Sequence, residues 1–435
     1  MIVVKSFKNM FNIPELRNKI LFTLGLLIVY RLGTIIPIIG VNIKLLAEYM
    51  KQATNLGSFF KYLDTFSGSN FERCTLFSLG ISPNITASIM MQLLGMSVPS
   101  LERLLKEGEF GRKIFNQYTR YLTLVLSILY STSYAVFLEN QGLVLDPGWI
   151  FRILFVMSMV AGSMFVMWLG EQISMYGIGN GASMIIFAGI VARFPIYVIR
   201  TIRDIDLGRI GIFTAVFILI FFLAVIACIV FLEKGERKIP VQYARRMVGN
   251  KMYAGQSSYI PFKINAVGVM PVIFASSMLQ IPMYIIGMLS SRFPALNTLP
   301  EYFLPTGILY NATTFVLIMF FTFFYTALIF DPKDLAQNMK KGGAFIPGVR
   351  PGGRTEQFFD YILTRLGFLG ALYLGLLSIL PNMLLVIIPT MPFYLGGTAL
   401  LIVVGVALES SSQVESYLIE HRYEGFLSTG RIKGR

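Results

Sequence analysis

Ten apolar runs, each long enough to cross a bilayer, follow one another along this chain with charged connections between them. A transmembrane helix needs about 20 predominantly apolar residues to span the hydrocarbon core. Such runs lie near residues 19–38, 75–95, 117–138, 150–169, 181–199, 211–232, 266–288, 310–330, 366–388 and 392–408. With 55% hydrophobic residues and only 14% charged over 435 positions, the chain is read as an all-α polytopic membrane protein. No small-residue cleavage site follows the mixed N-terminal segment, so the first run is expected to remain in the mature protein.

One run cannot be a simple span. In Phe66–Gly95, FSGSNFERCTLFSLGISPNITASIMMQLLG, the turn residues Ser67–Asn70, the charges Glu72 and Arg73, and then Gly80, Ser82, Pro83 and Asn84 interrupt the apolar pattern. Only Ile85–Gly95 reads as uninterrupted helix. Non-helical backbone at membrane depth exposes polar groups costing several kcal/mol each in lipid, so it survives inside protein or along a water-filled path. A short segment folded into a cavity is expected here.

The formal net charge of +14 would point to nucleic acid on a soluble protein. On a membrane chain it points to anionic lipid and to the positive-inside rule, and DNA is not expected as a partner. Lys and Arg fall mostly on the side holding the N-terminus, which predicts both termini in the cytoplasm. Arg31, Arg120, Arg152 and Arg193 fall within the runs. Arg31 is read as a snorkelling or packed cation.

Two connections on the basic side, residues 233–265 and 331–365, far exceed what a helix-to-helix turn requires. Their charges, among them Lys234, Arg237, Lys238, Arg245, Arg246 and Lys251, either set topology alone or form a docking surface for a large acidic or RNA-containing partner. The length of the loops favours docking.

Catalytic and ion-coupling constellations are not evident. The apolar cores hold no Asp or Glu, with Glu139, Glu171, Glu233, Asp331 and Glu409 at their edges. That argues against a coupled small-solute carrier, which needs carboxylates at membrane depth. The lone histidine, His421, lies outside the runs, and Cys74 and Cys228 are distant packing residues, so a metal site, a disulfide or an intramembrane nucleophile–base pair is not expected. GIGNG at Gly177–Gly181 lacks the context of a phosphate loop and is read as a close connection into the fifth run. Asn84 and Asn311 match the glycosylation pattern by chance.

A resemblance is carried by IPELRNKILFTLGLLIVYRLGTIIP from Ile13, FSLGISPNITASIMMQLL from Phe77, KEGEFGRKIFNQYTRYLTLVL from Lys106, WLGEQISMYGIGNGASMIIFAGIVARFP from Trp168, YAGQSSYIPFKINAVGVMPVIFASS from Tyr253, FFYTALIFDPKDLAQNMKKGGAFIPGVRPGGRTE from Phe323 and FYLGGTALLIVV from Phe393. In these blocks the chain resembles the SecY family, channel subunits of the bacterial protein translocase related to the Sec61 alpha chains.

The resemblance implies ten transmembrane helices in two inverted pseudo-repeat halves around a central pore with a plug. The halves would be residues 1–205 and 206–435, with a hinge between 200 and 211. A plug at 59–73 would include Phe60, Phe66, Ser67, Gly68 and Phe71. An apolar pore ring would comprise Ile81, Ile85, Ala182, Ile186, Ile273 and Ile402, with Ala182 smaller than the usual aliphatic residue. A lateral gate between the second and seventh spans would carry Gln92 and Gln280. Docking of SecA or the ribosome would use Arg245, Arg246, Lys251, Lys340, Lys341 and Arg350, with Asn250 where relatives often have a second arginine.

The implied function is passage of unfolded preproteins across the bacterial cytoplasmic membrane and lateral release of transmembrane segments, powered by SecA with ATP or by the ribosome. No cofactor and no covalent chemistry are implied. Partners would be SecE, SecG, SecA, the ribosome, preproteins, signal peptides and anionic lipids, with YidC and SecDF as further candidates. A secondary small-solute transporter is the alternative reading.

Overall fold

The computed structural model describes residues 13–51, 71, 73–243, 246–248, 251–253, 257–265, 267–289, 307–388 and 396–429. Helices meet all ten expected crossings. α1 is Pro14–Gly33 and the short α2 is Ile43–Lys51. α3 (Ser82–Ser97), α4 (Pro99–Lys106), α5 (Glu109–Asn140) and α6 (Trp149–Tyr176) follow, then α7 (Gly181–Val191), α8 (Phe194–Asp206) and α9 (Ile212–Glu233). The second part of the chain contributes α10 (Met270–Leu289), α11 (Ile308–Ile329), α12 (Pro332–Lys341), α13 (Gly353–Ile387) and α14 (Gly397–Thr429). Among the described residues seven helical stretches are long and apolar enough to span a bilayer by themselves. The other crossings are α1, whose ends carry Glu15, Arg17, Lys19 and Arg31, the short α3, and α10, which contains Pro282.

Where the boundaries differ from expectation, proline and glycine explain the difference. α3 begins at Ser82, before Ile85, because Pro83 occupies the first turn, where its missing N–H would have no intrahelical partner anyway. The fifth run is two helices. Pro195 cannot donate to the Val191 carbonyl, so α7 ends and α8 starts afresh around Arg193, whose guanidinium donates to the Tyr197 hydroxyl at 3.3 Å. The break expected at 200–211 is confined to residues 207–211, since α8 runs to Asp206 and ends in a turn closed by Gly208 N–H donating to the Ile205 carbonyl at 3.0 Å.

The described part of the broken stretch, residues 71 and 73–81, is held inside the protein. The Ile38 and Leu76 amides donate to the Cys74 and Ile36 carbonyls at 2.9 Å, tying the stretch to the connection after α1. Ser163 on α6 donates to the Gly80 carbonyl at 3.5 Å. Gly162 lets this irregular backbone touch α6, because a Cβ there would collide with the Leu76 carbonyl. Cys74 is buried in the surrounding cluster, whereas Cys228 is exposed on α9.

The largest departure lies in the long connections. The first forms β1 (Glu236–Tyr243) and β4 (Ser257–Lys263), antiparallel with Ile239 opposite Ile260, and a small hairpin of β2 (Arg246–Val248) and β3 (Lys251–Tyr253). The second contains α12 and β5 (Ala344–Phe345), which pairs with the end of β1 to give the order β4-β1-β5. Pro240 lies where β1 has only β4 beside it, which a sheet tolerates. Ile239, Phe262, Ile346, Phe359, Ile362 and Leu363 form the core of this module, a small sheet added in the connections of an otherwise helical chain. α13 also starts well before the apolar run at 366–388 and lifts its first turns into the module.

Candidate functional site

The end of the broken stretch, α3, α7, α10 and α14 converge on a small cavity. Ile81 caps α3 and Ile85 is four residues on, so both side chains share one face of the helix. Ile186 comes from α7, Ile273 from α10 and Ile402 from α14. All five are buried and belong to one apolar core.

The start of α7 is built to reach this point. The Asn180 side chain accepts from the Ala182 and Ser183 amides at 3.0 and 3.4 Å, and the Gly181 amide donates to Ser174 Oγ at 2.9 Å. A Cβ on Gly181 would strike the Gly170 carbonyl, and a side chain at Gly170 would press on Ile81 Cδ1 at 3.0 Å. This small-residue contact draws α7 onto α6 and leaves room for the isoleucines. The GIGNG connection is pinned at both sides: Ile178 N–H donates to Thr23 Oγ1 at 3.0 Å and Gly179 N–H to Gln413 Oε1 at 2.8 Å.

The resemblance-derived ring therefore largely meets in space. Ala182 is the exception, packing half-buried against the same core while Ile185 and Tyr30 line the cavity. Neither had been singled out in the sequence. Ile185 carried no signal beyond its neighbour Ile186, and Tyr30 reaches the site only because α1 folds back on it. One wall is polar: Ser82, Ser276, Ser277 and Gln280 face the space. Ser276 Oγ is satisfied by donating to the Ile273 carbonyl at 2.8 Å, whereas Gln280 is 3% exposed and its Oε1 has no partner among the described residues. The isoleucine side of the cavity offers water and ions no hydrogen bonds, and its aliphatic side chains can yield around an object that forces them apart, while the polar wall can hold water.

The remaining sites are dispersed. Phe60, Phe66, Ser67 and Gly68 lie outside the described residues. Phe71 is buried away from the cavity, edge-on to Tyr134 at 5.3 Å, with the Tyr134 hydroxyl donating to its carbonyl at 3.1 Å. Gln92 and Gln280 do not meet. α3 and α10 pack together, but Gln92 accepts from the hydroxyl of Tyr325 on α11. Arg245 and Asn250 are outside the described residues, while Arg246 and Lys251 lie on β2 and β3. Lys340 and Lys341 are exposed in the last turn of α12, where they also complement the helix dipole. Arg350 is exposed, and its carbonyl accepts from Thr355 Oγ1 at 3.0 Å. α12, β5 and the start of α13 thus share one folded module with the β1–β4 hairpin.

Two charges inside the spans have structural partners. Arg120 on α5 grips Glu171 on α6 through Nε and Nη2 at 2.9 and 2.7 Å, and Arg152 on α6 donates to Glu139 on α5 at 2.6 Å. Glu139 and Glu171, two of the edge glutamates, are therefore partners of intraspan arginines. Sequence reading had kept these residues apart.

Comparison with known proteins places this geometry in context. The SecY family profile matches residues 75–411. The protein translocase subunit SecY of Aquifex aeolicus is 44% identical over 97% of this chain and 98% of its own length. A SecY structure, described as having a plug domain that stabilises the closed state of the translocation channel and maintains a membrane seal, superposes with a TM-score of 0.65 at 20% identity, covering 92% of each chain. Sec61 in the canine ribosome–channel complex of the endoplasmic reticulum superposes with a TM-score of 0.62 at 19% identity, again over 92% of each chain.

Proposed function

This chain belongs to the SecY family, and from that premise we propose that it is the channel subunit of a protein translocase. It passes unfolded preproteins through the central cavity and releases apolar segments sideways into lipid. The observation that carries the reading is the convergence of Ile81, Ile85, Ile186, Ile273 and Ile402, from four helices, on one cavity. At rest that constriction seals by excluding water, and in transit it forms a compliant gasket. Ala182 contributes as backing for Ile186.

The protein is passive, holding no cofactor and performing no covalent chemistry. It sits in the bacterial cytoplasmic membrane with both termini in the cytoplasm. The module built on β1, β4, β5 and α12 faces the cytoplasm and receives SecA or a ribosome through Arg245, Arg246, Lys251, Lys340, Lys341 and Arg350. Residues 1–205 and 206–435 act as two inverted halves, clamped by SecE with SecG beside them. The turn at 207–211 serves as their hinge, and residues 59–73 plug the outer funnel. YidC and SecDF are accessory partners for released and translocated clients.

The test is ATP-dependent protection of a labelled preprotein from protease, in vesicles containing this chain with its own SecE. Protection requiring both SecA and ATP is the expected result. Absence of protection with SecA, and again with ribosome-bound nascent chains, would overturn the reading.

A further inference from the structure

The β module joins the bundle through a neck of two chain segments, and we propose that Asn265 is a positioning residue that clasps this neck, so that a push on the module moves α10 and the constriction. The proposal rests on the reading of this chain as a channel driven by a partner docked on that module. One limb of the neck leaves α9 at Glu233 and enters β1 at Glu236; the other leaves β4 at Lys263 and enters α10 at Met270. Asn265 sits in the second limb and is 3% exposed. Its Nδ2 donates to Glu233 Oε2 of the first limb at 2.8 Å, and to the Gly268 carbonyl, where the chain turns into α10, at 3.0 Å.

Both acceptors face the same nitrogen, which fixes the role of the amide. An aspartate here would set a carboxylate against a carboxylate, and an aliphatic side chain would take the donor away from both acceptors. The surrounding backbone leaves the neck little room to slip. The Ile264 amide donates to the Gly235 carbonyl at 2.9 Å, linking the limbs a second time. A Cβ on Gly235 would strike Ile264 Cδ1, and one on Gly370 of α13 would strike the Ile264 carbonyl. Gly268 turns the chain with a φ of +67°, a left-handed conformation that glycine adopts without strain.

The consequence is mechanical. The cavity residue Ile273 follows Asn265 by eight positions, and the Val272 and Ile273 amides donate to the Val269 carbonyl, so the chain is regular from the turn onward. With the clasp closed, both limbs and the start of α10 move as one body and carry Ile273 with them. With the clasp open, the module can tilt on its neck and leave α10 where it is. A plain cap for α10 would need only the bond to Gly268. The bond to Glu233, which reaches the other limb, is what capping does not require.

The experiment uses the intact SecE-bound complex with Ile273→Cys in a Cys74→Ser, Cys228→Ser background. It reads the rate of reaction with a small thiol reagent before and after SecA is added with a non-hydrolysable ATP analogue. SecA is expected to raise that rate about tenfold with Asn265 in place, and by less than about twofold in Asn265→Asp or Asn265→Ala, the scale of losing one hydrogen bond to a charged group. SecA affinity is expected to stay at the parent's value in both. Adding Glu233→Gln to Asn265→Asp lets the glutamine amide donate to the new carboxylate, and is expected to bring back most of the rise. A full rise in either single variant, a loss matched by an equal loss of SecA affinity, or a double variant as silent as Asn265→Asp would overturn the clasp. A parent complex that translocates without any SecA-dependent rise at this position would overturn the clasp alone. Should it neither translocate nor respond, the channel reading fails and the clasp falls with it.

Discussion

Ile402 has no exposed surface and packs where α14 meets the central cavity. Across the same cavity Gln280 keeps an acceptor without a partner among the described residues, so one wall repels water while the other tolerates it. An amide in place of Ile402 would remove about 1–3 kcal/mol from the cost of wetting the narrow point. Ile402→Asn is therefore expected to raise resting ion conductance about tenfold and to admit preproteins with weakened signal sequences. A variant as tight and as selective as the parent would count against the seal. The isoleucines could not have been picked out by residue type alone, because a core isoleucine looks the same in sequence. Pairs such as Arg120–Glu171 and Gln92–Tyr325 were illegible for a related reason: each joins residues far apart in the chain, and only packing brings them together.

The long apolar helices were readable because a bilayer-spanning run announces itself by length and hydropathy. α9 is the clearest case, with Phe213 93% exposed on an outward surface suited to lipid. α3 is only half legible, since Pro83 reads as a break although a first-turn proline starts a helix as readily as it stops one. The sheet is harder to read because charged residues crowd a short alternation: Ile239 and Val241 point inward between Lys238, Pro240 and Gln242, a strand signal of period two.

The hairpin and α13 depend on each other through the core of the module. Ile239→Ala is expected to cost about 2–5 kcal/mol locally. Hydrogen exchange would then show β1 and β4 losing protection while α9 and α10 keep theirs. Equal protection in the variant would mean the module does not rest on this core. On the surface of the same module, reversing a single exposed charge should leave the fold alone. Arg350→Glu is expected to lower SecA-driven translocation by tenfold or more, roughly the scale of losing one charged interface contact, with SecE binding intact. Normal transport would remove Arg350 from the docking surface.

The two parts of the chain meet around the cavity and are held together unevenly. Toward α14 the first half is tied by Lys19 to the Tyr417 hydroxyl at 2.7 Å, and by Gly179 to Gln413. Among the described residues a further polar tie joins α3 to α11, where the Tyr325 hydroxyl donates to Gln92. That distribution fits a molecule that keeps one side closed while the other parts, with the cavity on the line between them. The central claim is that a client passes through this cavity, and the direct measurement is disulfide crosslinking of a stalled preprotein bearing one cysteine. It is made in a Cys74→Ser, Cys228→Ser background with a new cysteine at Ile402, Ile186 or, on the outward face, Phe213. The account predicts crosslinks at Ile402→Cys and Ile186→Cys that depend on SecA and ATP, and none at Phe213→Cys. Crosslinks confined to the outward position, with the cavity positions silent, would contradict it.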